Sequence, residues 1–154
     1  MQEEIEKAKI AAFRLLSYRM RSCKEISDKL KEKGFPQDII RTVIKDLKRL
    51  DFLNDLNFAK AFVESRLIHN PKGRAFLRYE LFKKGVENKI IDEAIGEKIS
   101  AEKEEDIAQL LAEKVWQKKK NVEVMKRKAQ TYNYLARRGF PASLVTKIVE
   151  EKKD

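Results

Sequence analysis

The chain has 154 residues, 35 Lys+Arg against 25 Asp+Glu, a formal charge of +10, 42% hydrophobic residues, one Cys and one His. That length suits one domain or a short array of smaller units, and the apolar content is enough for a core, so a wholly disordered chain is not expected. Cys23 alone supports neither a disulfide framework nor a Cys-based zinc site, and the longest hydrophobic run, Ile10–Phe13, is far below the roughly 18 residues of a membrane span. The acidic start Met1-Gln2-Glu3-Glu4 has no basic stretch followed by an apolar one, so no signal peptide is expected. A soluble cytoplasmic protein with no membrane partner follows, and the positive balance points to a polyanionic partner.

Ile10, Phe13, Leu16 and Met20 recur at helical spacing and predict a first helix. Ser22-Cys23-Lys24-Glu25 reads as a capping box that opens a second helix, running through Ile26 and Leu30 to Lys33. Ile40, Val43, Ile44, Leu47 and Leu50 form the stripe of a third. Asn54-Asp55 offers an N-cap for a helix carrying Phe58, Phe62, Val63 and Leu67. His69-Asn70-Pro71-Lys72-Gly73 breaks the chain, and helices are expected over about 74–84 and about 87–98. The last third shows three stripes: Ile107, Leu110, Leu111 and Val115; then Met125, Ala129, Tyr132 and Leu135; then Leu144 to Val149. No segment alternates with period two long enough to predict a strand.

Three of the five glycines sit in one recurring phrase: Lys33-Gly34-Phe35-Pro36, Lys84-Gly85-Val86-Glu87 and Arg138-Gly139-Phe140-Pro141, spaced 51 and 54 residues apart. Four residues before each Gly is Leu30, Leu81 or Leu135, and five and six after it are Ile39-Ile40, Ile90-Ile91 or Leu144-Val145. Self-similarity at this period marks a repeat architecture. Gly34, Gly85 and Gly139 are assigned structural turns, each ending a helix in the left-handed conformation. The fold expected is all-α, with three tandem three-helix repeats at 1–50, 51–100 and 101–154. Each repeat buries little alone, so stacking should give an elongated helical body that can curve, with a long surface and no deep pocket.

Catalytic chemistry is not expected. There is no Gly-rich phosphate loop, and no cofactor or metal is called for. His69 beside a Pro-Gly turn reads as a loop residue, and Cys23 as a partly buried structural one. The cluster Glu102, Glu104, Glu105 and Asp106 reads as first-turn acids complementing a helix dipole, in preference to a divalent-cation site.

The three repeats carry +5, +1 and +4, but from Lys114 to Arg138 nine basic residues face one acid, Glu123. Lys118, Lys119, Lys120, Lys126, Arg127, Lys128, Arg137 and Arg138 are the candidate contacts of an anion-facing surface, with Lys72, Arg74 and Arg78 as a second, smaller cluster. Among the interleaved aromatics Trp116, Tyr132 and Tyr134, Tyr132 shares the Leu135 stripe, which leaves Tyr134 as the exposed candidate for stacking on a base.

An ordered set of motifs resembles the RecX family of regulatory proteins over roughly residues 8–150. It runs Arg21-Ser22-xx-Glu25-Ile26-xxx-Leu30-xx-Lys33-Gly34-Phe35, Phe52-Leu53-Asn54-Asp55-xx-Phe58-Ala59, Lys72-Gly73, Leu81-xx-Lys84-Gly85-Val86 and Leu135-Ala136-Arg137-Arg138-Gly139-Phe140. Asp51 stands where the family usually has Gly, so the third helix is expected to stop differently, and Val86 and Glu87 are harmless departures. The segment 114–130 has little motif identity, so its basic character is not carried over from the family. The resemblance implies a modulator of the recombinase RecA, built of three three-helix repeats, and a monomer is expected. It would lie in the groove of the RecA filament on single-stranded DNA, limit filament extension, and inhibit ATPase, strand exchange and co-protease activity. The residues taken without the resemblance leave two other readings open: a basic helical module that binds DNA directly without RecA, and a helical scaffold for another partner.

Overall fold

The computed structural model describes residues 1–153, and among them the regular structure is α-helical throughout: α1 (Gln2–Tyr18), α2 (Cys23–Glu32), α3 (Gln37–Arg49), α4 (Asp55–His69), α5 (Arg74–Lys83), α6 (Asn88–Lys98), α7 (Ala101–Lys118), α8 (Val124–Arg137) and α9 (Ala142–Glu150). Two compact units divide the chain, Met1–Phe62 with Leu81–Ala94, and Val63–Glu80 with the chain from Ile95 onward. The middle helices α4, α5 and α6 therefore contribute residues to both units.

Local chemistry sets the helix ends. Ser22 and Glu25 complete the capping box: the Ser22 hydroxyl accepts from Glu25 N–H at 3.1 Å, and the Glu25 carboxylate accepts from Ser22 N–H at 3.1 Å. Asn54 caps α4 by accepting from Asn57 N–H at 3.1 Å, and Ser100 caps α7 by accepting from Lys103 N–H at 3.0 Å.

The C-terminal bends share one geometry. Gly34, Gly85 and Gly139 have φ of 93°, 82° and 86°. At each, the amide after the glycine reaches back to the leucine carbonyl: Phe35 to Leu30 at 3.2 Å, Val86 to Leu81 at 3.2 Å and Phe140 to Leu135 at 3.4 Å. This is the Schellman arrangement, and it accounts for the Leu four before each glycine and the apolar residue one after. A fourth copy ends α3. Asp51 has φ of 64°, its N–H bonds Lys48 O at 3.0 Å, and Phe52 N–H bonds Leu47 O at 2.8 Å. The expectation of a different stop at Asp51 is thus corrected: the short polar side chain tolerates the left-handed region that the glycine usually fills.

Two predicted stripes meet the core only in part. Of the first, Ile10 is 58% exposed and Phe13, with Met20 just beyond α1, is also outside, whereas Leu16 packs on the core with Ile5 and Leu15, beside the fully buried Ala8 and Ala12. Alanine adds little to an apolar pattern, but its small size lets α1 pack closely on α3, where Lys9 pairs with Asp46 at 3.0 Å. In α8, the stripe counted from Met125 holds only in its second half: Met125 and Ala129 are exposed, Tyr132 and Leu135 pack on the core, and Arg127 and Thr131 also turn inward. Leu110 in α7 and Leu50 at the end of α3 are likewise exposed. The core of the second unit is Ala108, Leu111, Ala112, Leu135, Phe140, Val145, Ile148 and Val149.

One joint recurs, once in each unit. In the first, the Ser22 hydroxyl donates to Lys84 O at 2.6 Å, and Asp55 Oδ1 accepts from Cys23 N–H at 2.9 Å. In the second, Gly73 N–H donates to Arg138 O at 2.8 Å, and the buried Glu104 accepts from Arg74 N–H at 2.7 Å. Ser22 and Gly73 each precede a domain's second helix, and Lys84 and Arg138 each precede a bend glycine. A carboxylate from the following helical domain thus caps the first N–H of α2 and of α5, groups that a helix leaves unpaired.

Candidate functional site

The basic segment folds around a short turn. α7 ends at Lys118 and α8 begins at Val124, with Val122 N–H bonded to Lys119 O at 2.9 Å. Lys118–Lys120 lie at the C-terminal end of α7, where the helix dipole favours cations. Glu123, the lone acid, caps α8 by accepting from Met125 N–H at 3.0 Å and Lys126 N–H at 3.2 Å. Those backbone hydrogen bonds hold its carboxyl below the ordinary range, so it stays ionised and engaged with the helix end.

Lys118, Lys120, Lys126 and Arg137 are exposed, and Lys119 and Lys128 are half-buried. None of the six has an ion-pair partner among the described residues. Five of them, Lys118, Lys119, Lys120, Lys126 and Lys128, flank the α7–α8 turn, and Arg137 stands at the far end of α8.

The other candidates are placed elsewhere. Arg127 is buried, 5% exposed, with its guanidinium 3.7 Å from the Trp116 ring centroid and its Nε and Nη2 donating to Trp116 O at 3.0 and 2.7 Å. It anchors α8 to the end of α7, and Trp116, itself buried, is no platform for a base. Arg138 donates from Nη1 to Asn70 Oδ1 at 2.8 Å and to Pro71 O at 3.1 Å, which latches the α4–α5 connection. Its guanidinium also covers Tyr134 at 4.6 Å, so the expected stacking residue is half-buried under a cation. Lys72 lies 3.8 Å from the Phe76 ring centroid and 3.8 Å from Glu80, which also takes Arg66. Arg74 Nε bonds Glu104 at 3.2 Å, and of that smaller cluster only Arg78 is exposed. The structure therefore separates six cations without an ion pair, at the end of α7, in the turn after it and on α8, from four that hold the fold: Lys72, Arg74, Arg127 and Arg138.

Glu104 of the acidic cluster has the structural role described above, and Glu105 pairs with Lys147 at 3.0 Å. Burial, then the charge and hydrogen bond of Asp55, push the Cys23 thiol up to about 12, so it is not a thiolate nucleophile at neutral pH. Among the described residues no group of three or more His, Cys, Asp or Glu is placed to hold a metal ion, and no helix is long and apolar enough to cross a membrane. The functional signal that sequence reading misses is the carboxylate caps. Asp55 and Glu104 act on amides 32 and 30 residues away, and nothing in the local pattern distinguishes them from other surface acids.

Fold and surface together define a helical-repeat protein of three tandem three-helix domains, with unpaired cations flanking the turn between α7 and α8. Family models for the first, second and third three-helix domains of RecX match residues 8–47, 54–95 and 102–149, in that order. The regulatory protein RecX of Caldanaerobacter subterraneus is 37% identical over 144 residues, covering 94% of this chain and 70% of the relative. That of Amycolatopsis mediterranei is 32% identical, covering 98% and 86%. For the relative from Oceanobacillus iheyensis the identity is 32%, and the chain spans only 55% of its length. The crystal structure of RecX from Lactobacillus salivarius superimposes with a TM-score of 0.87 at 27% identity, covering 98% of this chain and 97% of that one. The chain belongs to the RecX family of regulatory proteins.

Proposed function

We propose that this protein regulates the recombinase RecA by binding its filament on single-stranded DNA. In this reading it limits filament extension and thereby lowers ATPase, strand-exchange and co-protease activity, acting as a monomer in the cytoplasm. The observation that carries the reading is the ordered match of all three RecX domains across most of the chain. The unpaired lysines of α7 and α8 support it, because a nucleoprotein filament is a polyanion that such a surface can meet. Three linked domains can also hold several weak contacts at once, which raises avidity without any strong single site.

The test is a titration of the protein into RecA ATPase on single-stranded DNA at two salt concentrations. Inhibition that weakens with salt is expected; unchanged ATPase and filament length at excess protein would overturn the proposal. Charge reversal at Lys118, Lys119, Lys120, Lys126 and Lys128 should weaken inhibition while leaving the melting temperature near wild type, and full inhibition by that variant would show that another surface is used.

The same unpaired cations favour a second reading, direct DNA binding without RecA. It predicts single-strand binding whose affinity falls with salt at a logarithmic slope of about −0.7 per phosphate neutralised. No detectable binding at low salt removes it.

A further inference from the structure

A separate feature lies in the first unit. A cleft of about 400 Å³ runs between α2 and α3. Its floor is apolar, made by the half-buried Ile44 over the all but sealed Ile40, with Cys23 at one end. Its rim is cationic: Arg41, Lys45 and Lys48 recur along α3 at spacings that place them on one ridge, and Lys24 stands opposite on α2. Among the described residues no carboxylate lines the cleft. Lys24 has a carboxylate nearby, Asp28 at 3.8 Å, but that pair is exposed and weak. Arg41, Lys45 and Lys48 have no ion pair among the described residues.

We propose that this cleft docks an acidic amphipathic segment of a partner protein, one that places an apolar side chain on Ile40 and Ile44 and carboxylates against Arg41, Lys45 and Lys48. Two halves of the surface point to that occupant together. An apolar floor between two helices favours an apolar anchor, since water there is displaced by a side chain that fits. A rim of one sign selects an anionic partner and speeds its approach. A nucleic acid would satisfy the rim through its phosphates but leave the floor uncovered, so the apolar half argues for protein. The inference goes beyond the RecA reading and does not depend on it, because neither RecA nor DNA is needed to test it.

The experiment uses the full chain with 13C-labelled isoleucine methyl groups. Three probes are titrated: a synthetic acidic helical peptide with leucines at i and i+4, the same peptide with those leucines replaced by serine, and oligo-dT. The leucine peptide is expected to shift the Ile40 and Ile44 methyl signals and leave Ile148, in the other unit, unmoved. Its affinity should fall about tenfold in the Arg41→Glu/Lys45→Glu variant, and about tenfold when the leucines become serines. Circular dichroism checks that the variant stays folded, and the methyl mapping on the wild-type protein stands independently of it. Equal binding of the serine peptide, or no shift at Ile40 and Ile44, overturns the proposal. So does oligo-dT moving those methyls at lower concentration than the peptide, which would assign the ridge to nucleic acid.

Discussion

The two joints solve one connection problem with different materials. In the first unit the contact is made by side chains: the Ser22 hydroxyl bonds Lys84 O, and Lys84 Nζ reaches Glu25 at 3.5 Å, where Arg19 also arrives at 2.9 Å. In the second unit it is made by backbone: Gly73 N–H bonds Arg138 O, and a Cβ on Gly73 would run into the Gly139 carbonyl and lie 2.7 Å from Phe140 N. A Cβ on Gly85 would meet the Lys24 side chain from Cβ to Cδ, whereas one on Gly139 would meet both the Cβ and the backbone of Phe76. The outer Lys24 carbons can shift by rotamer change although its Cβ moves only with the main chain, while the Phe76 atoms at the second joint all move only with the main chain. The lesson is that equivalent positions in a repeat need not tolerate equivalent changes.

The largest expected effect tests that lesson directly. Gly139→Ala combines a left-handed φ with collision against the Phe76 backbone and should cost about 3 kcal/mol or more in urea unfolding. Gly85→Ala should cost about 2 kcal/mol, and Gly34→Ala, with nothing within 4 Å of its added methyl, only about 1 kcal/mol. Equal losses at all three would erase the distinction between the joints.

Next come the carboxylate caps. Glu104→Ala leaves the Arg74 amide and guanidinium without their buried acceptor and should cost about 2–3 kcal/mol. Asp55→Ala removes the bond to Cys23 N–H and the contact with its thiol, both at a partly buried site, and should cost about 1 kcal/mol. A larger loss at Asp55 would reverse the ranking of the two units.

Acid should act on the first joint through Glu25. Partial burial works to raise its pKa, but the hydrogen bonds from Arg19 and from Ser22 N–H, with the charge of Lys84, outweigh it and hold the carboxyl below its ordinary range. A depressed carboxylate adds stability above its unfolded pKa and loses it as pH falls through the folded value. Glu25→Gln, which keeps a capping-box acceptor, should therefore cost about 1 kcal/mol at neutral pH. Thermal melts should show that gap closing below the ordinary glutamate range, and a gap independent of pH would assign the cost to packing instead.

The smallest effect belongs to the fourth bend. Asp51→Gly relieves the left-handed φ but loosens the unfolded chain and removes the 3.3 Å contact with Asn54, so stability should change by less than about 0.5 kcal/mol. A loss above about 1 kcal/mol in the same unfolding assay would show that the carboxylate does more than tolerate the turn.

Helix order and helix ends were legible because their causes are local. The Ser22–Glu25 box, the Asn54 cap and the Leu-Gly-Phe bends each close within a few residues, and each stands where the residue pattern places it. Facing was less legible. The fully buried residues of α1 are alanines and those of α8 include an arginine and a threonine, so an apolar count finds only part of each inward face. The candidate surface was half legible: the excess of lysine over acid from 114 to 138 is a property of composition, but which cations remain in solvent is not.

Residue order thus determined the helices, their bends and the three-domain period, since these rest on backbone conformations and hydrogen bonds spanning one helical turn. Tertiary structure decided the fate of each charge. Arg127 is drawn inside by a carbonyl and an indole 11 residues away, and Arg138 is half-covered and held by an amide oxygen 68 residues away, while Lys118, Lys120 and Lys126 keep to water. A guanidinium is buried only where acceptors for its donors and a ring for its face meet in one place, and that convergence exists only once distant segments have packed.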